Sequence, residues 1–169
     1  MATRKELLSW DEVDRLVEHL IPQFRGEFDA MVIITRGGII PGGMLCERLN
    51  IKEVLTAAVN FPFEAEREAT KLFAWPEFLQ FPEDDLIKGR QILLVDDVWG
   101  SGRTITAVKN RIAGAGGYPF TCVLHYNPYR SLFTQAKPDS YAAITDAHIV
   151  YPWEDYRGVD KVLLDEPQL

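Results

Sequence analysis

Cysteine, histidine and long apolar runs are scarce in this 169-residue chain, and each scarcity removes a class of protein. The two cysteines, Cys46 and Cys122, stand among apolar residues at no metal-ligand spacing, so buried free thiols are expected rather than a disulfide or a zinc site. Three scattered histidines add no metal signature. The longest apolar runs are four or five residues, as in Ile92-Leu93-Leu94-Val95, against the ~20 that a membrane span needs. The start, Met1-Ala2-Thr3-Arg4-Lys5-Glu6, has no apolar run of a secretory leader, which points to the cytoplasm and to no membrane partner. Basic residues are in deficit too: 18 against 25 acidic ones leave a net charge of −7, which argues against nucleic acid held mainly by phosphate neutralisation.

What is present suffices for one core, since 47% of the residues are hydrophobic and the length is that of one domain. The negative charge is segmental. Residues 62–87 hold seven acidic residues and two basic ones, Arg67 and Lys71, and so supply −5 of the −7; they read as a solvated face.

Ser9 and Glu12 form a capping-box pattern, and Val13, Leu16, Val17, Leu20 and Ile21 recur at helical spacing, which predicts a helix over 10–24. Phe28 to Thr35 reads as a strand that stops at Arg36-Gly37-Gly38, and a helix runs from Pro41 to about Leu49. Lys52 to Val59 is a further strand. Residues 60–88, with three prolines and no clean period, read as a long excursion holding one short helical or strand piece. Gln91 to Val95 is uniformly apolar, as a central parallel strand should be, and leads through Asp96-Asp97 into a helix over 103–115 stopped by glycines. Phe120 to His125 and Tyr141 to Thr145 read as strands, and a final segment, Ala147 to Glu154, follows. Alternating strands and helices imply one α/β domain, residues 1–169, with a parallel sheet.

The informative stretch is Ile92-Leu93-Leu94-Val95-Asp96-Asp97-Val98-Trp99-Gly100-Ser101-Gly102-Arg103-Thr104. A buried strand delivers two carboxylates to its C-terminal edge, where open α/β sheets bind ligands. Backbone N–H groups, two hydroxyls and a helix N-terminus then offer a site for a phosphate dianion. The spacing is not that of a Walker A loop. Two acids beside an anion site suit a sugar phosphate whose hydroxyls, or their Mg²⁺, need acceptors.

This stretch resembles the signature of the type I phosphoribosyltransferases, which bind 5-phosphoribosyl-1-pyrophosphate (PRPP). The resemblance implies a three-layer α/β fold with a central, mostly parallel sheet and a small hood formed by the chain ends. It implies that Asp96 and Asp97 hold the ribose hydroxyls and the Mg²⁺ cofactor, and that Trp99, Gly100, Ser101, Gly102, Arg103 and Thr104 form the phosphate loop. Arg36-Gly37-Gly38 matches the pyrophosphate loop, which implies Arg36 beside the two aspartates in catalysis and a cis Thr35–Arg36 peptide. Trp153 resembles the hood aromatic of the hypoxanthine and xanthine-guanine branch, which stacks on the purine. Residues 60–88 fall where the family carries a flexible loop, and 147–160 where it carries the hood. The implied activity is Mg²⁺-dependent transfer of the phosphoribosyl group to a purine in salvage, by a homodimer or homotetramer. The alternative is a PRPP or nucleotide sensor that has lost turnover.

Two positions depart from that branch. Gly100 stands where an aspartate usually contacts the purine N7, and Asn127 stands where a lysine usually reaches the 6-oxo group. Asn127 is thus the implied reader of the base edge, beside Trp153. His125 reads as packed or hydrogen-bonded.

Overall fold

A computed structural model describes residues 4–61 and 75–157, with side chains through Glu154. The chain runs β1 (Lys5–Leu7), α1 (Trp10–Leu20), β2 (Ala30–Ile34), α2 (Ile39–Leu49), β3 (Val54–Asn60), β4 (Glu77–Gln80), β5 (Gln91–Trp99), α3 (Arg103–Gly114), β6 (Tyr118–Tyr126), β7 (Ser140–Ile144) and β8 (His148–Val150).

Helix α1 starts where the capping box sets it. The Glu12 N–H donates to Ser9 Oγ at 3.3 Å, and the Ser9 N–H donates to Glu12 Oε2 at 2.7 Å. Val13, Val17 and Leu20 form its buried stripe. Pro22 cannot donate a helical hydrogen bond, so the α-helix stops at Leu20 and a 3-10 turn, Ile21–Gln23, completes the predicted span.

The main sheet has the order β4-β3-β2-β5-β6-β7, all parallel except for β4 at the edge. Strand β5 sits between β2 and β6 and buries Ile92 to Val95 in succession, because both faces of the sheet are covered. Leu93 and Val95 join Val13, Val17, Met31 and Leu45 on the α1/α2 side. Ile92 and Leu94 join Val32, Ile105, Val108 and Ile112 on the α3 side. The result is the expected three-layer arrangement.

Beyond shifts of one or two residues at element ends, three features differ from the reading of the sequence. Strand β5 does not stop at Val95 but continues to Trp99, because β6 is equally long and keeps pairing with it, Asp96 to Val123 and Trp99 to Tyr126. The excursion over 60–88 contains β4, antiparallel to β3, and a 3-10 turn at Asp84–Leu86; its residues 62–74, including Lys71, lie outside the described residues. The chain ends form a second sheet, in which β1 pairs parallel to β8 with Lys5 opposite His148 and Leu7 opposite Val150. Cys122 is buried, Cys46 is partly buried, and both are free thiols. Among the described residues no helix is long and apolar enough to cross a membrane.

Candidate active site

Parallel strands end in the same direction, so the loops after β2, β5 and β6 meet at one edge. There Arg36, Gly37, Asp96, Asp97 and Thr104 line a cavity of about 570 Å³, joined by Val59 from β3 and by Trp153 and Glu154 from the hood.

The two carboxylates stand at its floor. The Asp97 N–H donates to Asp96 Oδ1 at 2.9 Å, and the Val98 N–H donates to Asp97 Oδ1 at 2.7 Å. Enclosure by protein, then the Asp97 charge, pushes Asp96 well above the usual carboxylate range. Enclosure, then the Glu154 charge, pushes Asp97 up to about 6.

Arg36 is exposed at the rim, and the Thr35–Arg36 peptide is cis, as the resemblance implies. The loop that follows packs directly on β5. A Cβ at Gly37 would lie 2.6 Å from the Asp97 carboxyl group, and one at Gly38 would lie 2.5 Å from the Val95 carbonyl oxygen. Only glycine lets this backbone come so close to the acids.

After β5 the chain turns through Gly100, Ser101 and Gly102 into α3, whose N-terminus has no side-chain cap, so its first-turn N–H groups face the turn. The Arg103 N–H reaches Ser101 Oγ at 3.4 Å. Trp99 lies beneath this turn and not in the cavity. It is 2% exposed, donates Nε1–H to Ser131 Oγ at 3.2 Å and meets the Tyr126 ring edge-on. Gly102 has φ +78°, and a Cβ there would fall 2.3 Å from the Trp99 indole nitrogen. We therefore expect Gly102→Ala to lower stability by about 2–4 kcal/mol, from left-handed strain and overpacking together. A denaturant midpoint within error of the wild type would refute this account of the turn.

The residues proposed to read the base do not share a cavity. Asn127 lines a smaller one of about 130 Å³ with Gly100, Arg130, His148, Ile149 and Tyr151, to which Asp97 and Glu154 also contribute. Its Oδ1 accepts the Tyr129 and Arg130 N–H groups, both at 3.1 Å, so that oxygen shapes the turn. Trp153 stands on the other side of the hood. Its ring stacks on Tyr151 at 4.4 Å and 5°, tilts against Trp10, and borders the larger cavity. Among the hood residues that line the smaller cavity, His148, on the strand that pairs with β1, is exposed.

Tyr151 and Glu154 also escaped the reading of the sequence. The Tyr151 hydroxyl donates to the Asp97 backbone carbonyl at 3.0 Å and lies 2.8 Å from His125 Nδ1. Its single proton is used on Asp97, so the His125 proton sits on Nδ1. Burial holds His125 down to about 4, so it is neutral at pH 7 and packed, as predicted. Glu154 Oε2 accepts the Tyr151 N–H at 2.9 Å, and Glu154 borders both cavities. The Tyr-Pro-Trp-Glu spacing was the available signal, read only for its tryptophan.

A family model described as "Phosphoribosyl transferase domain" matches residues 4–155. The chain is 29% identical to a xanthine-guanine phosphoribosyltransferase of Ruegeria sp. (strain TM1040), across 90% of this chain and 91% of the relative. A crystal structure of a purine phosphoribosyltransferase from Pyrococcus horikoshii superposes with a TM-score of 0.74 at 27% identity, covering 89% of this chain and 94% of that one. The Helicobacter pylori xanthine-guanine-hypoxanthine phosphoribosyltransferase has the same fold, with a TM-score of 0.75 at 18% identity over 93% of this chain and 99% of that one.

Proposed function

The chain belongs to the phosphoribosyl transferase domain family, and from that premise we propose that it transfers the 5-phosphoribosyl group of PRPP to a 6-oxopurine, with release of pyrophosphate. The observation that carries this reading is the recessed Asp96–Asp97 pair, held between the bare Gly37 backbone and the uncapped start of α3.

In this reading the ribose hydroxyls of PRPP lie against Asp96 and Asp97. The 5-phosphate meets the N–H groups and hydroxyls of Ser101 to Thr104, and the pyrophosphate meets Arg36 and the Gly37–Gly38 backbone. The C1′–oxygen bond to pyrophosphate breaks, the C1′–nitrogen bond to the base forms, and the base loses one ring N–H proton. Mg²⁺ fits these residues: adjacent carboxylates whose ionisation is disfavoured by enclosure, and by the charge of Asp97 on Asp96 and of Glu154 on Asp97, favour a nearby cation. Among the described residues no group of three or more His, Cys, Asp or Glu is arranged to hold a metal. Substrate oxygens and water would supply the remaining ligands, as is usual for magnesium at phosphate sites. When bound, the ion neutralises charge on the departing pyrophosphate.

The base enters the smaller cavity, between Asn127 and the His148 imidazole. Asn127 Oδ1 is committed to its turn, so the amide nitrogen is the group that remains for a 6-oxo acceptor. The test is pyrophosphate release from PRPP and Mg²⁺ with adenine, hypoxanthine, guanine and xanthine. Release driven by the 6-oxopurines supports the reading, and release with none of the bases overturns it. In the same assay His148→Ala should raise KM for the base about ten-fold, the worth of one stacking ring, and leave KM for PRPP unchanged. Trp153→Ala, which removes a packing partner of Tyr151, should instead lower the melting temperature. The reverse pattern would return the base to Trp153.

A further inference from the structure

The first turn of α3 carries polar atoms that the fold leaves without partners. Nε and Nη2 of Arg103 and Oγ1 of Thr106 are buried with no hydrogen-bond partner among the described residues. Spacing of three along a helix puts the two residues on neighbouring positions of one face. The Arg103 guanidinium carbon lies 4.0 Å from the centroid of the Phe61 ring, in the residue that follows β3. An aromatic face attracts a cation but offers no oxygen lone pair, so it accounts for the position of the guanidinium and not for its unmet N–H groups.

The pair is not itself part of the larger cavity's lining but lies close in the chain to residues that are. Val59, two residues before Phe61, and Thr104, the residue after Arg103, both line it. Buried donors without acceptors are costly, and their retention beside a ligand cavity is explained when a ligand brings the acceptor. A guanidinium already stripped of water and fixed in plane loses little freedom on meeting a phosphate.

We propose that Phe61 is a positioning residue: its ring holds the Arg103 guanidinium dehydrated beside Thr104 of the cavity wall, and so keeps two N–H donors in place for a phosphate oxygen of the substrate. This deepens the transferase reading and rests on it for the identity of the phosphate donor, PRPP.

The experiment compares Phe61→Leu, which keeps bulk without a π face, with Phe61→Tyr, which keeps both. Calorimetric titration with pyrophosphate and with ribose 5-phosphate is set beside KM for PRPP and for the base. Phe61→Leu should weaken binding of at least one of the two anions, and raise KM for PRPP, about ten-fold, with KM for the base unmoved and Phe61→Tyr close to wild type. In an Arg103→Gln background Phe61→Leu should have no further effect, because Phe61 acts through Arg103. Equal affinities in the Leu and Tyr variants, or an undiminished Leu effect without Arg103, would overturn the proposal. The anion titrations decide it without turnover. A wild type that binds pyrophosphate or ribose 5-phosphate but releases no pyrophosphate from PRPP with any base defeats the transferase reading alone. A wild type that binds neither anion defeats both.

Discussion

Asp97→Asn should abolish most PRPP affinity while making the folded protein more stable at neutral pH. The two effects have one origin. Enclosure, with Glu154 nearby, pushes Asp97 up to about 6 from its ordinary 3.8, so the folded state binds this proton more tightly than the unfolded chain does. The contribution to stability is therefore complete below about pH 4 and is lost as pH rises through 6. Asparagine has no proton to lose, and its amide oxygen can still accept the Val98 N–H that Oδ1 takes now. Thermal scans should show the variant melting about 2–5 °C above wild type near pH 7.5, with the gap closing toward pH 4. Meanwhile the ribose loses a charged acceptor, worth about 1.5–3 kcal/mol, so the Kd for PRPP should rise about ten- to a hundred-fold or more. A variant that melts below wild type at pH 7.5, or binds PRPP as tightly, would show that this carboxylate serves the fold and not the ligand.

Gly100→Asp should accelerate turnover of a 6-oxopurine by about a hundred-fold or more, the usual worth of a positioned proton acceptor. Forming the nitrogen–carbon bond expels a proton from the base. At present Asp97 and Glu154 are the carboxylates that border the smaller cavity among the described residues, and Glu154 already holds the Tyr151 N–H. Gly100 borders the same cavity, its φ is not in the left-handed region, and a Cβ there meets nothing within 4 Å. Glycine is thus not required by the local backbone or by packing. The melting temperature should stay within about 2 °C, as for substitutions away from packed contacts. An unchanged kcat for hypoxanthine and guanine in a well-folded variant would mean that the proton leaves by another route.

What could be read from the sequence was what local chemistry decides. The uninterrupted Ile92–Val95 run announces a strand covered on both faces, and the glycines and hydroxyls of 100–104 announce a turn into a helix whose N–H groups are open. The less legible features depend on partners far along the chain. Strand β4 is four residues long with three of them exposed, so no alternation marks it; pairing with β3 makes it a strand. The place of Trp153 was not legible either, because the side of the segment that faces the smaller cavity depends on how β8 pairs with β1. Once that register is set, Ile149 and Val150 are buried, His148 reaches the smaller cavity, and Trp153 packs on Tyr151. The Phe61–Arg103 contact is invisible for the same reason, since neither residue's neighbours in sequence hint at the other.

The pairing of β1 with β8 also sets an order of assembly. Arg4 and Asp146 meet although 142 positions apart in the chain. At a synthesis rate of about 5–20 residues per second, β1 waits on the order of ten seconds for β8, its strand partner among the described residues. The strand that carries the two aspartates and the turn that follows it emerge well before then. A nascent chain thus owns the Asp96–Asp97 edge and the turn into α3 before it owns the wall that carries His148, and the last of the described strands to leave the ribosome completes the smaller cavity.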